Sequence, residues 1–286
     1  MRLSRGTRIA LRVGVAITLA FVYLPLLVVA IYAFNGGPAL GWPPEDLTTH
    51  WFGVAIRNDG ARDAFVTSLE VGAVATGIAL LLGTLAAFAV SRYRFFGRET
   101  ISFLVILPIA LPGIVTGIAL SDTFREVLGI NLGFFTVVVG HATFCIVLVY
   151  NNVVARLRRV SGNFEEASAD LGAHTWQTFR HITLPNMQTA LVAGALLAFA
   201  LSFDEIIVTT FTLGAGSETL PIWIFSNLFR PNQVPIVNVV AVLVVLISII
   251  PVYLAHRLTR EEGAAAAPAG GGAGAAGVVA ETAAAP

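Results

Sequence analysis

Long apolar blocks separated by short polar segments organise this chain. Apolar runs occupy residues 13–34, 65–91, 101–121, 134–155, 188–211 and 236–257. Each suffices, as a helix, to cross the ~30 Å of a hydrocarbon core. The pattern predicts an all-α polytopic membrane protein with six transmembrane helices. Around them lie a short N-terminus (1–12), a Gly/Pro-rich and then mixed polar loop (35–64) and a tail (258–286), whose residues 263–286 are Ala/Gly/Pro low complexity and read as disordered. Trp42 and Trp51 in the loop suit a membrane–water interface. Residues 65–257 form a core of five spans.

One polar segment inside that core, 163–187 (NFEEASADLGAHTWQTFRHITLPNM), interrupts the apolar rhythm. Its pattern predicts two short helices. Asn163 is placed to cap the first, with Glu166 reaching back in a capping box. Phe164, Ala167 or Ser168, and Leu171 share one face. Gly172 stands where a helix C-terminus favours positive φ. Thr175 is placed to cap the second helix, lined by Trp176, Phe179 and Ile182, and Pro185 closes the unit. The product is a compact knuckle with apolar knobs and an acidic edge.

Composition agrees with the pattern. The chain is 56% hydrophobic and 12% charged, with mean hydropathy +0.82, values of a membrane protein. Net charge is zero, so there is no electrostatic footprint for nucleic acid. A single cysteine, Cys145, excludes an intrachain disulfide and a cysteine metal cluster. The chain has no lysine: all 17 basic residues are arginine. A P-loop lysine is therefore absent, and any ATP that drives this protein is bound by another subunit.

The arginines orient the chain. With a cytoplasmic N-terminus, Arg2, Arg5, Arg8, Arg12, Arg92, Arg94, Arg98, Arg156, Arg158, Arg159, Arg180, Arg257 and Arg260 lie on one side, and Arg57, Arg62, Arg125 and Arg230 on the other. Positive charge stays inside, so both termini and the knuckle are expected in the cytoplasm.

Within the spans, Pro25 sits in the first, while Pro108, Pro112, Gly113 and Gly117 interrupt the third. The fifth contains the pair Asp204–Glu205. An aspartate at the centre of a membrane helix costs roughly 2.5–3.5 kcal/mol on insertion scales, so such residues face a cavity or a partner. In a continuous helix Ser202, Glu205, Thr209 and Thr212 form one polar stripe, and Asp204 is turned ~100° from Glu205. One acid is then free to line a pathway while the other pairs with a neighbouring helix. Phe203 and Phe211 are nearby aromatic faces for a cation.

The knuckle resembles the coupling motif of ABC importer permeases: Glu166-Ala167-Ser168, three residues, Gly172, nine residues, then Ile182-Thr183-Leu184-Pro185. Ser168 replaces the second alanine of that motif and is small enough to keep the helix close to a partner groove. The resemblance implies a type I importer permease fold and an assembly with an ATP-binding cassette ATPase dimer, a second homologous permease subunit and an external substrate-binding protein, set in the bacterial plasma membrane among lipid. Glu166, Ala167, Ser168, Gly172, Ile182, Leu184 and Pro185 would then dock on the ATPase. ATP and magnesium would sit on that partner, leaving this chain non-enzymatic and without a cofactor or metal of its own.

Residues 133–145 (GFFTVVVGHATFC) and 201–221 (LSFDEIIVTTFTLGAGSETLP) are similar to the second permease subunit of spermidine/putrescine importers. That implies a polyamine substrate, with Asp204 and Glu205 matching the family's acidic pair. One departure is Gly113, where relatives often carry an acid. The same machine for iron, thiamine, an opine or an organophosphonate stays open. An ion-driven secondary transporter needs a repeat that is not evident and leaves the knuckle unexplained. An intramembrane hydrolase needs a nucleophile and base at depth, and His141, the one histidine clearly within a span, has no evident catalytic partner.

Overall fold

The structure, a computed structural model, describes residues 4–37, 41–44, 46–160 and 163–265. Its helices in chain order are α1 (Arg5–Tyr32), α2 (His50–Ile56), α3 (Asp59–Arg92), α4 (Arg98–Ala110), α5 (Gly113–Asp122), α6 (Phe134–Leu157), α7 (Asn163–Asp170), α8 (Thr175–Thr178), α9 (Leu184–Phe203), α10 (Ile207–Thr212), α11 (Leu220–Leu228) and α12 (Val234–Ala265). A π turn, Thr123–Val127, extends α5, and another, Phe179–Thr183, joins α8 to α9. Among the described residues the only β pairing is one isolated bridge, Asn35 with Leu47.

Among the described residues, four helices are long and apolar enough to cross a membrane: Arg5–Tyr32, Asp59–Arg92, Phe134–Leu157 and Thr175–Phe203. Arg98–Ala110 with Gly113–Val127 makes a fifth crossing if that pair counts as one span. The sixth apolar run falls in α12, whose Val234–Ile249 stretch is apolar but shorter. Helix α12 continues to Ala265, three residues into the low-complexity tail, the rest of which, like Arg2, lies outside the described residues.

Helices α3, α6 and α9 form the central three-helix core. Lipid supplies no hydrophobic drive between spans, so close packing by small residues must. Helix α3 buries Ala64, Ser68, Gly72, Ala75, Ala79, Gly83 and Ala87. At Gly83 a Cβ would stand 2.9 Å from the Ile146 carbonyl oxygen of α6, so only glycine permits this approach. Val149, Val153, Met187 and Ala198 complete that core. A second core joins α2, the start of α3, α11 and α12 through Ala61, Ala64, Trp223, Val237 and Val239. Ser68 Oγ ties the two by accepting the Leu220 N–H at 2.8 Å. Helix α1 buries none of its residues within this chain.

Two predicted spans are broken. In the third, Pro112 holds Leu111 extended (φ −82°, ψ 145°) and α5 leaves α4 at 105°, as expected of a proline that restricts its predecessor and lacks an N–H. The fifth was expected as one helix over 188–211; instead α9 stops at Phe203, and Asp204, Glu205 and Ile206 separate it from α10. Glu205 is the local cause. Its carboxylate takes the Val208 N–H at 2.9 Å, starting a new helix instead of prolonging the old one. The continuous polar stripe, and the ~100° rotation between Asp204 and Glu205 read from it, are therefore replaced by a break.

Candidate functional site

The knuckle forms, with three changes from the sequence reading. Asn163 is the first helical residue of α7 and not its cap. Helix α8 is capped at His174, whose N–H donates to Gln177 Oε1 at 3.0 Å, so Thr175 is already helical. Pro185 does not close the unit: α8 runs through the π turn into α9, with Pro185 exposed in its first turn. A proline has no N–H to give, and the change of register from π to α is where that donor is least missed.

Gly172 behaves as its position demands. Its φ is +84°, and the Ala173 N–H reaches Ser168 O at 3.1 Å while its own N–H reaches Ala169 O at 2.9 Å. This is the paired closure of a helix by a left-handed residue. Ser168 does not face outward. It is 8% exposed, and its hydroxyl meets Thr178 Oγ1 at 2.9 Å, locking α7 onto α8. Glu166, Ala167, Gly172 and Pro185 are exposed, while Ile182 and Leu184 are half-buried. Phe164, Leu171 and Trp176 project apolar surface, with Leu171 90% exposed. Phe179 stacks on Trp176 and packs edge-on against Phe88 of α3.

The acid that fastens the knuckle is Glu165, which the sequence reading passed over. Its Oε1 accepts from Arg92 Nη2 at 2.9 Å and from Thr183 Oγ1 at 3.0 Å. No local spacing announces a contact spanning 73 residues; the one available signal was an arginine ending the second span.

The broken helices meet. A Cβ at Gly113, the first residue of α5, would lie 3.7 Å from Ile207, the first residue of α10. Two half-helices thus begin side by side, with Asp204 and Glu205 at that point. Asp204 is exposed and Glu205 half-buried. Among the described residues the Asp204 carboxylate has no hydrogen bond or ion pair, whereas Glu205 is engaged by Val208. Phe203 packs against Phe65 and Phe199, and Phe211 against Gly117. Both rings are half-buried among their own neighbours.

His141 of α6 lies behind the break with no exposed surface. Its Nδ1 meets Ser202 Oγ at 2.7 Å and its Nε2 meets Thr209 Oγ1 at 2.8 Å. Ser202 and Thr209, expected on one stripe, are thus both buried against a third helix. Thr212 is buried too, its carbonyl accepting from Thr136 Oγ1 at 2.7 Å. Among the described residues no cluster of His, Cys, Asp or Glu could hold a metal.

Comparison with known proteins matches residues 79–261 to the model of the family described as binding-protein-dependent transport system inner membrane component. The putrescine transport system permease protein PotI of Escherichia coli K12 is 35% identical over 234 residues, covering 78% of this chain and 81% of the relative. The spermidine/putrescine transport system permease protein PotC of the same strain is 32% identical over 244 residues, 85% of this chain and 91% of the relative. Among solved structures, a chain of a bacterial ABC transporter that imports the acidic polysaccharide alginate aligns with TM-score 0.68 over 91% of this chain and 99% of that one. At 20% identity that likeness speaks for the fold.

Proposed function

This chain belongs to the family of binding-protein-dependent transport system inner membrane components, and from that premise we propose that its substrate is a polyamine. It is a multi-pass permease subunit of an ABC importer, and the family leaves ATP hydrolysis to a separate subunit. The observation that carries the substrate reading is the pair of carboxylates at the meeting point of two broken helices, one of them unpaired among the described residues, in a chain 35% identical to a putrescine permease. An ammonium group leaving water needs a carboxylate or carbonyl in its place. Asp204 offers a charge that no other described residue engages, and it stands at a helix break of the kind that membrane proteins tolerate where the backbone lines a pathway.

The knuckle is the ATPase contact in this reading. Glu166 and the exposed Phe164, Leu171 and Trp176 form a surface with apolar knobs beside an acid. We place an ATP-binding cassette dimer there, with ATP and magnesium on the dimer. A second homologous permease would cover the apolar face that α1 leaves bare, and an external binding protein would deliver substrate at the opposite end, with both termini of this chain cytoplasmic. Uptake of radiolabelled spermidine and putrescine into vesicles bearing the whole complex tests the proposal. ATP-dependent accumulation of either supports it, and accumulation of neither refutes the substrate.

Gly113 favours a second reading, the same importer for a different substrate. It adds no acid at the spot where the two half-helices meet, leaving two carboxylates at the break for a polycation.

A further inference from the structure

The bonds around His141 form a directed chain. Thr209 Oγ1 donates its only proton to the Glu205 carbonyl at 2.8 Å. It therefore receives the His141 contact as an acceptor, which assigns a proton to Nε2. Nδ1 of the neutral ring then accepts from Ser202 Oγ. The path runs Ser202, His141, Thr209, Glu205 main chain. It starts at the end of α9, leaves for α6, and returns beyond the break.

We propose that His141 is a positioning residue that clasps α9 to α10 across the break and so sets where Asp204 and Glu205 stand along the pathway. Residues 204–206 lie between the two helices, so little besides their flanks fixes their torsions. A histidine that merely filled the core would bond one neighbouring helix. This one bonds both sides of a single interruption, from a helix whose Val137, Val138, Phe144 and Cys145 are themselves buried. The clasp is rigid because it sits on α6, and it acts on the acids because its last link is the Glu205 backbone. Its role in transport rests on the reading of Asp204 and Glu205 as pathway residues; its mechanical role does not.

The test separates the two. Spin labels at Leu197→Cys and Thr210→Cys, both exposed and one on each side of the break, report the distance across it. Native Cys145 is buried and out of reach of the label. In the assembled transporter in nanodiscs, the label distance should be narrow in the parent, broad in His141→Leu, and narrow again in His141→Gln, whose amide keeps one donor and one acceptor. Polyamine uptake should fall roughly three- to tenfold in His141→Leu, the range a net loss of about one hydrogen bond gives, and recover in His141→Gln. Should His141→Leu not assemble, Ser202→Ala removes one end of the chain with little change of volume and should broaden the distances in the same way. An unchanged narrow distribution in His141→Leu, or in Ser202→Ala where the former does not assemble, overturns the clasp. Broadening in a complex that transports no polyamine supports the clasp and refutes only the substrate.

Discussion

Arg92, the last residue of α3, donates from Nη2 to Glu165 Oε1 in α7 at 2.9 Å, and Thr183 at the foot of α9 donates to the same oxygen at 3.0 Å. One carboxylate oxygen thus joins two core spans to the knuckle. A partner that moves the knuckle must move α3 and α9 with it, or break this junction.

The first prediction concerns that junction. Both side chains are about one-quarter exposed (24% and 27%), so the pair contributes less to stability than a fully buried one, on the order of 1 kcal/mol. Assembly should therefore survive its removal. Glu165→Ala should lower stimulation of the ATPase by loaded binding protein roughly two- to fivefold, in line with an interaction of that size. Glu165→Arg with Arg92→Glu should restore more stimulation than either single change leaves. Equal stimulation in Glu165→Ala and wild-type complexes would sink the transmission role.

Apart from its own chain neighbours, no atom of the described residues lies within 4 Å of where a Cβ of Gly172 would be, so a substitution there fails through backbone alone. At φ +84° a β-branched residue costs roughly 1–2 kcal/mol or more. Gly172→Val should insert in the membrane yet co-purify with little ATPase subunit. Gly172→Asn, which tolerates left-handed φ, should retain most of it. Full co-purification with Gly172→Val would show that this turn does not aim the docking surface.

The reach and the limit of sequence reading are visible side by side at these positions. Gly172 was legible because chain direction and a local hydrogen-bond pattern select glycine at one place. The Pro112 break was legible for the same reason, a covalent constraint acting on its immediate neighbour. Glu165, Ser168 and the interruption at Asp204 were not. Each depends on a partner whose position only folding supplies: Arg92 across 73 residues, Thr178 across a turn, and a Val208 N–H that competes with helix continuation. Periodicity grouped Ser202 with Thr209 correctly, but for a helix that does not exist. What joins them is His141.

Sidedness can be tested by cysteine labelling, at positions other than Gly60, the second residue of α3, where a Cβ would meet Trp223 Nε1 at 3.0 Å, and Gly97, at φ +86°. Asp59→Cys and Ser217→Cys, both exposed, should react with an impermeant maleimide added outside, whereas Phe96→Cys and Ala173→Cys should react only after permeabilisation. The contact of Arg92 with Glu165 requires residues 96 and 173 to share a side, so opposite reactivity at these two would contradict the fold as well as the orientation.

Gly113→Asp is the gain-of-function case. The added Cβ would stand in ordinary contact with Ile207 at 3.7 Å, and an acid in the first turn of α5 interacts favourably with the helix dipole, by about 0.3–1 kcal/mol at exposed sites. The variant should assemble normally. If the substrate is a polyamine, the spermidine-to-putrescine uptake ratio should rise, because the longer amine has one more charge to place. An unchanged ratio would mean that the cation does not pass the junction of the two half-helices.

The last prediction separates the two acids. Asp204 is exposed, and its carboxylate has no partner among the described residues, while Glu205 accepts the Val208 N–H at 2.9 Å. A glutamine at 205 still presents an amide oxygen to that N–H, so Glu205→Gln keeps the start of α10 and loses only charge. Asn at 204 removes a charge that no other described residue engages. Hydrogen bonds to charged groups contribute about 1.5–3 kcal/mol against 0.5–1.5 for neutral ones. Asp204→Asn should therefore cut polyamine uptake roughly tenfold or more, and Glu205→Gln by a smaller factor, with assembly and capture by the binding protein intact in both. Glu205→Ala, which also strips the cap, should fall below Glu205→Gln. Initial uptake rates in vesicles, normalised to complex content, decide the matter. Wild-type rates in Asp204→Asn would remove that carboxylate from the pathway, and a larger loss in Glu205→Gln than in Asp204→Asn would reverse the assignment, making the capping acid the one that meets the substrate.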